Sequence, residues 1–297
     1  FQEQWDRALE VDPEFVFVTG WNEWTAGLGT MPEKDKLKDR ILFFDFYPGA
    51  HIGMCGRPIM PGTKVFIDQY NQEYSRDIEP MVGGHTDNYY YQLIDNVRKY
   101  KGVQKPVPAG EEMSIDMAGG FDQWETIEAV YYDHFGDVVH RNGEGVGTAG
   151  PYVDQSGRND ILESRVARDE QNFYFYVKTA GELTAHSDDD WMLLYINSDQ
   201  NPDTGWEGYD FLINASIVSE TTTSLQLYKK GKWGILAELR YKYEGNELMI
   251  EVPRSLMGSS AFDFHWTDNV PVSGDITDFF MKGDNAPERR SNYRFQE

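Results

Sequence analysis

Phe173-Tyr174-Phe175-Tyr176-Val177-Lys178-Thr179 is a short run rich in Val, Tyr and Phe, the residue types that favour strands. Similar runs recur at 127–132, 161–167, 192–197, 211–214, 225–228, 236–243, 248–252 and 262–267. Turn signals separate them, as at Tyr228-Lys229-Lys230-Gly231-Lys232 and Glu244-Gly245-Asn246. Many short strands divided by such turns predict an antiparallel β-sandwich over residues 111–297.

Upstream of these runs the pattern changes. Two prolines and two glycines punctuate the stretch Lys101-Gly102-Val103-Gln104-Lys105-Pro106-Val107-Pro108-Ala109-Gly110, which places a linker at 106–110. Residues 1–105 read as α/β. Residues 4–11 have a helical pattern, 15–19 a strand pattern, and 87–100 a helical pattern with Tyr90, Leu93, Ile94 and Val97 on one face. The irregular stretch 27–62 is too long for an ordinary connection and is expected to form a functional loop above the strand ends.

The apolar run Phe15-Val16-Phe17-Val18 reads as a buried strand, and Trp21-Asn22-Glu23-Trp24 follows it closely. This group has the chemistry of a sugar site. Indole faces stack on the C–H faces of a pyranose, an amide exchanges hydrogen bonds with hydroxyls, and a carboxylate serves as acid, base or nucleophile. Glu23 is therefore the catalytic candidate, with Trp21, Asn22 and Trp24 binding substrate. The alternative is a packed core edge in which an arginine satisfies Glu23. Glu79 in Asp77-Ile78-Glu79-Pro80 is a second carboxylate near a strand end, with helix capping or pairing with Arg76 as its structural alternative.

The chain has 27 basic and 50 acidic residues, a net charge of −23. That balance repels phosphate and argues against nucleic acid or an anionic membrane as partner, while neutral glycans and calcium remain compatible. A single cysteine, Cys55, excludes an intrachain disulfide and a cysteine zinc cluster. No run of eighteen apolar residues occurs, and the opening Phe1-Gln2-Glu3-Gln4-Trp5 reads as the inside of an amphipathic helix rather than a leader.

In the 199–210 loop, oxygen donors fall at Asp199, Asn201 and Asp203, then at Glu207 and Asp210. This order matches the oxygen positions of an EF-hand loop, although Gly205 sits one place late and strands flank the segment. Calcium is the expected cofactor there. The competing reading is a loop whose Asp and Asn side chains bond their own backbone. Asp188-Asp189-Asp190 offers further ligands or a solvated edge. Trp206 and Trp233 lie in turns, where an indole face stays open to sugar, whereas Trp191 and Trp266 fall within strand runs and are expected to pack.

Two resemblances rest on these motifs. The segment Gly20-Trp21-Asn22-Glu23-Trp24, followed by Arg76-Asp77-Ile78-Glu79-Pro80 and Asp87-Asn88-Tyr89-Tyr90, resembles the last part of a (β/α)8 barrel in glycoside hydrolase family 99-like proteins, with about forty residues inserted between the motifs. The 191–197 run, the 198–210 loop, Trp266-Thr267-Asp268-Asn269 and Gly283-Asp284-Asn285-Ala286-Pro287 are similar to family 9 carbohydrate-binding modules. Together they imply an α/β plus all-β chain: 1–105 the terminal portion of a (β/α)8 barrel, 111–297 a glycan-binding sandwich. A complete barrel takes about 200–250 residues, so only the last two or three βα units fit, and the missing portion is an expected partner. The implied activity is hydrolysis of O-glycosidic bonds in a poly- or oligosaccharide, at a secreted, periplasmic or cell-surface location. The alternative is a non-catalytic carbohydrate-binding or structural accessory module.

Overall fold

The computed structural model describes residues 1–22, 28–30, 64–66, 77–80, 85–103, 105–138, 141–143, 152–272, 274–280 and 282–297. The chain divides into two compact units, 1–104 with 143–152 and 105–142 with 153–297.

The first unit contains helices α1 (Gln2–Val11) and α2 (Asn88–Lys101) and a two-stranded antiparallel ladder of Leu28–Thr30 with Lys64–Phe66. The helices are joined by a reciprocal amide pair: Gln2 Nε2 donates to Asn96 Oδ1 at 3.1 Å, and Asn96 Nδ2 donates to Gln2 Oε1 at 2.8 Å. Trp5 is buried, and Tyr100 Oη donates to the Pro13 carbonyl at 2.6 Å.

The expectation of a (β/α)8 portion is overturned here. The 15–19 run carries no ladder, and Phe15 and Phe17 are 73% and 75% exposed. An apolar tetrapeptide becomes a strand only where neighbours take up its N–H and C=O groups, and here none does among the described residues. The ladder of this unit, 28–30 with 64–66, is antiparallel, whereas a (β/α)8 barrel pairs its strands in parallel. No helix among the described residues is long and apolar enough to cross a membrane.

The second unit is built on eleven strands: β1 (Val130–Tyr132), β2 (Ile161–Arg168), β3 (Asn172–Thr179), β4 (Leu193–Asn197), β5 (Phe211–Ile217), β6 (Thr222–Lys229), β7 (Lys232–Glu244), β8 (Glu247–Pro253), β9 (Ala261–Asp268), β10 (Asp284–Ala286) and β11 (Tyr293–Gln296). They form one antiparallel sheet in the order β10-β9-β4-β5-β6-β7-β8-β3-β2-β1, with β11 also pairing β9. The expected pair of stacked sheets is thereby corrected to a single sheet that curls on itself. The long β7 makes the turn, pairing β6 through residues 232–240 and β8 through 241–244. The two edges nearly close: Tyr131 Oη donates to the Arg294 carbonyl at 2.9 Å, and Tyr293 Oη to the Tyr132 carbonyl at 3.0 Å. Near-closure of this kind leaves little open sheet edge.

Period-two alternation sorts the side chains. Phe173, Phe175 and Val177 of β3, Leu194 and Ile196 of β4, and Phe262, Phe264 and Trp266 of β9 fill the interior. Both β3 and β4 are covered outside as well. Tyr174 and Tyr176 pack under Trp124, while Leu193 and Tyr195 pack under Tyr209, Val270, Ile276 and Phe279. Burial on both faces explains why these strands are nearly unbroken runs of apolar and aromatic residues rather than alternating ones.

Candidate functional site

In the first unit the backbone brings two motifs together. Ile78 N donates to the Gly20 carbonyl and Glu79 N to the Trp21 carbonyl, each at 3.0 Å. Asn22 Nδ2 then reaches Glu79 Oε2 at 3.1 Å. Trp21 is 46% exposed and meets Tyr90 edge to face at 6.0 Å. Glu23 and Trp24 lie outside the described residues, as does Arg76. An exposed indole, an amide and a carboxylate therefore share one surface.

In the second unit Trp206 and Trp233 are both half-buried, with ring centroids 6.4 Å apart and planes inclined at 59°. Tyr195 supports both, at 5.7 Å from Trp206 and 6.4 Å from Trp233. Trp206 is fixed by a tight turn in which its N–H and that of Tyr209 donate to each other's carbonyls at 2.8 and 2.9 Å. That turn requires Gly205, whose φ is +65° and where a Cβ would stand 2.1 Å from the Tyr209 oxygen. Trp191 and Trp266 are enclosed, with Trp191 Nε1 donating to the Thr184 carbonyl and Trp266 Nε1 to Ser164 Oγ.

The same outer layer opens into a cleft of about 510 Å³. Leu193, Ala215 and Val272 belong to the aromatic layer and also line the cleft, whose polar wall is His186 with Asp188, Asp189 and Asp190. Arg158 ties this acidic stretch down through the Asp189 carbonyl at 2.6 Å and Asp188 at 3.5 Å. The result is an aromatic layer continuous with an acceptor-rich hollow.

The 199–210 loop turns its oxygens onto itself. Asp199 Oδ1 accepts from Asn201 N at 2.9 Å and Thr204 Oγ1 at 3.0 Å, and Asn201 Oδ1 accepts from Asp203 N at 3.0 Å. Asp210 Oδ2 accepts from both Ser198 N and Ser198 Oγ at 2.8 Å. The bonds from Asn201 N to Asp199 and from Asp203 N to Asn201 are those of Asx turns, while the Asp210 bonds close the base of the loop.

Carboxylates converge elsewhere. Among the described residues, Asp133, Asp137 and Asp284 form the group whose ligand atoms all lie within 4.8 Å of one another. Asp133 follows β1, Asp137 closes the next turn, and Asp284 opens β10. Asp284 is buried and accepts from Ile161 N at 2.6 Å and Asn285 N at 2.8 Å. Asp133 Oδ2 and Asp137 Oδ1 are buried with no hydrogen-bond partner. Burial, reinforced by the neighbouring Asp284 and Asp137 charges, pushes Asp133 up to about 9. Burial, the Asp284 charge and the neighbouring Glu288, which hydrogen-bonds to it, raise Asp137, and burial lifts Asp284 to about 7 against the pull of its two backbone donors. A calcium ion with bonds of about 2.3–2.6 Å needs ligand oxygens no more than roughly 5 Å apart, which this group satisfies. The sequence signal was Asp133-His134-Phe135-Gly136-Asp137, two carboxylates around a glycine turn, but the third ligand lies far downstream.

No protein family, curated protein or solved structure matches the chain.

Proposed function

We propose that this chain serves a carbohydrate-active protein as a glycan-binding β-domain, held together by calcium at Asp133, Asp137 and Asp284. The observation that carries the glycan reading is the half-exposed Trp206–Trp233 pair on Tyr195, continuous with the acidic cleft. Saccharides present apolar C–H faces and hydroxyl donors together, and this surface offers aromatic faces beside hydrogen-bond acceptors. The cation reading rests on the unpartnered oxygens of Asp133 and Asp137, which three neighbouring carboxylates would otherwise leave unsatisfied. A calcium site of this kind suits a secreted or cell-surface setting, where calcium is plentiful. The test is a panel of neutral and charged polysaccharides presented to the full chain with calcium: binding by at least one is expected, and binding by none would sink the reading.

The Asn22–Glu79 contact beside exposed Trp21 favours a second reading, in which the first unit contributes to hydrolysis of an O-glycosidic bond. Its test is release of reducing ends from the same panel. Loss of release in both Glu79→Gln and Glu23→Gln is expected, and unchanged release in both would remove these carboxylates from the chemistry.

A further inference from the structure

The hairpin joining β6 to β7 concentrates positive charge in a strongly acidic chain. Lys229 and Lys232 are register partners, so the two side chains stand directly opposite each other on one face of the ladder, and Lys230 occupies the turn between them. Lys230 and Gly231 both have positive φ, 55° and 78°, as a tight two-residue hairpin turn demands. All three lysines are exposed, and none takes part in an ion pair among the described residues. Like charges placed directly opposite across a ladder oppose folding. Among the described residues no ion pair compensates the Lys229–Lys232 pair.

The two faces of this hairpin differ. Tyr228 and Trp233 form the intervening register pair and meet edge to face at 5.1 Å on the side of the outer aromatic layer. Leu227, Lys229, Lys232 and Gly234 lie on the other face, where Leu227 packs on the main core. Beyond that core the face becomes a groove of about 410 Å³, completed by Ile235 and Leu236, which are 70% and 44% exposed. Its floor is apolar and its rim carries ammonium groups.

We infer that this groove takes an acidic sugar residue, with the pyranose ring on the Leu227, Ile235 and Leu236 surface and a carboxylate or sulfate ester between Lys229 and Lys232. The inference rests on the glycan-binding reading and names the class of glycan: a uronate-bearing or sulfated polysaccharide. An anion between the two ammonium groups converts their repulsion into two charge-assisted contacts. The chain as a whole has a net charge of −23 and repels polyanions, which favours attraction at this lysine-bearing site over the rest of the surface.

The experiment compares polymers that share a backbone and differ in charge: polygalacturonate against its methyl ester, and dextran sulfate against dextran, each titrated into the full chain. The charged member of at least one pair is expected to bind about tenfold or more tightly than its neutral counterpart. That preference should fade as salt rises from ~0.05 to ~0.5 M. Which pair discriminates tells carboxylate from sulfate. Lys229→Gln/Lys232→Gln should remove about tenfold of the charged polymer's affinity at a melting temperature no lower than that of wild type, since it also relieves the repulsion, while Lys229→Arg/Lys232→Arg should retain the affinity. Equal affinity within both pairs, or a preference that survives the glutamine variant, overturns the inference and leaves the glycan reading standing. Binding to none of the four polymers overturns the inference, and binding to no member of the neutral and charged panel sinks the glycan reading with it. Equally tight binding of duplex DNA would show an unselective anion patch and overturns the inference as well.

Discussion

Arg158 donates its Nε to Oδ2 of Asp268 at 2.7 Å, and Asp268 is wholly buried at the end of β9. The other carboxylate oxygen accepts from Asn159 Nδ2 at 2.9 Å and Met192 N at 3.0 Å. Burial raises the Asp268 carboxyl against the opposing pull of Arg158 and these donors. Removing the guanidinium leaves a buried charge without its counter-ion. Arg158→Ala should therefore cost about 3–5 kcal/mol in urea unfolding; a loss under about 1 kcal/mol would show that the pair does not hold β9 in place.

Calcium should stabilise the fold in a pH-dependent way. Asp133 and Asp284 titrate near 9 and 7 in the fold, against about 3.9 when unfolded. Between these limits the folded chain holds more protons than the unfolded one, so stability without calcium falls as pH rises. This contribution is complete below about pH 4 and is lost as pH climbs through the folded values. His265 acts in the opposite sense, because burial lowers it to about 4 and its contribution is lost as pH falls. The difference between melting temperatures with calcium and with chelator isolates the carboxylates, which the cation keeps ionised. That difference should be larger at pH 8 than at pH 5 and should vanish in Asp133→Asn. A difference that is absent, or independent of pH, contradicts the site.

The 199–210 loop should respond otherwise. Asp203→Ala should leave the calcium-dependent rise in melting temperature intact. Asp210→Ala should destabilise the chain by about 1–3 kcal/mol with or without calcium, because it strands the Ser198 N–H and hydroxyl. Loss of the calcium response in Asp203→Ala would return the cation to this loop.

Much of the second unit is legible locally. Phe173, Phe175 and Val177 announce β3, and Leu248, Ile250 and Val252 announce β8, because a strand's pattern depends on neighbours two residues away. Closure of the sheet is not legible, since it depends on β7 being shared by β6 and β8 and on Tyr131 meeting Arg294. Phe15 and Phe17 misled for the converse reason: the run has a strand's composition but no ladder partner among the described residues. The convergence of Asp133, Asp137 and Asp284 is hidden by distance along the chain, while Asp199, Asn201 and Asp203 belong to residue types that Asx turns and calcium loops both draw on.

Trp191 and Trp206 should separate packing from binding. Trp191 is 2% exposed within the core and meets Tyr243 at 5.1 Å. Trp191→Ala should cost about 3–5 kcal/mol, and chemical denaturation measures it. Trp206→Ala should cost clearly less, and equal losses would show that Trp206 is chiefly structural.

The central claim is that the outer aromatic layer binds glycan, and equilibrium binding tests it most directly. A polysaccharide that the full chain binds in the panel is titrated into wild type and into Trp206→Ala/Trp233→Ala, both with calcium and both checked by melting temperature. Affinity should be at least about tenfold weaker for a folded double variant, as expected when two stacking faces are lost. Equal affinity of the two proteins for that polysaccharide would contradict the claim.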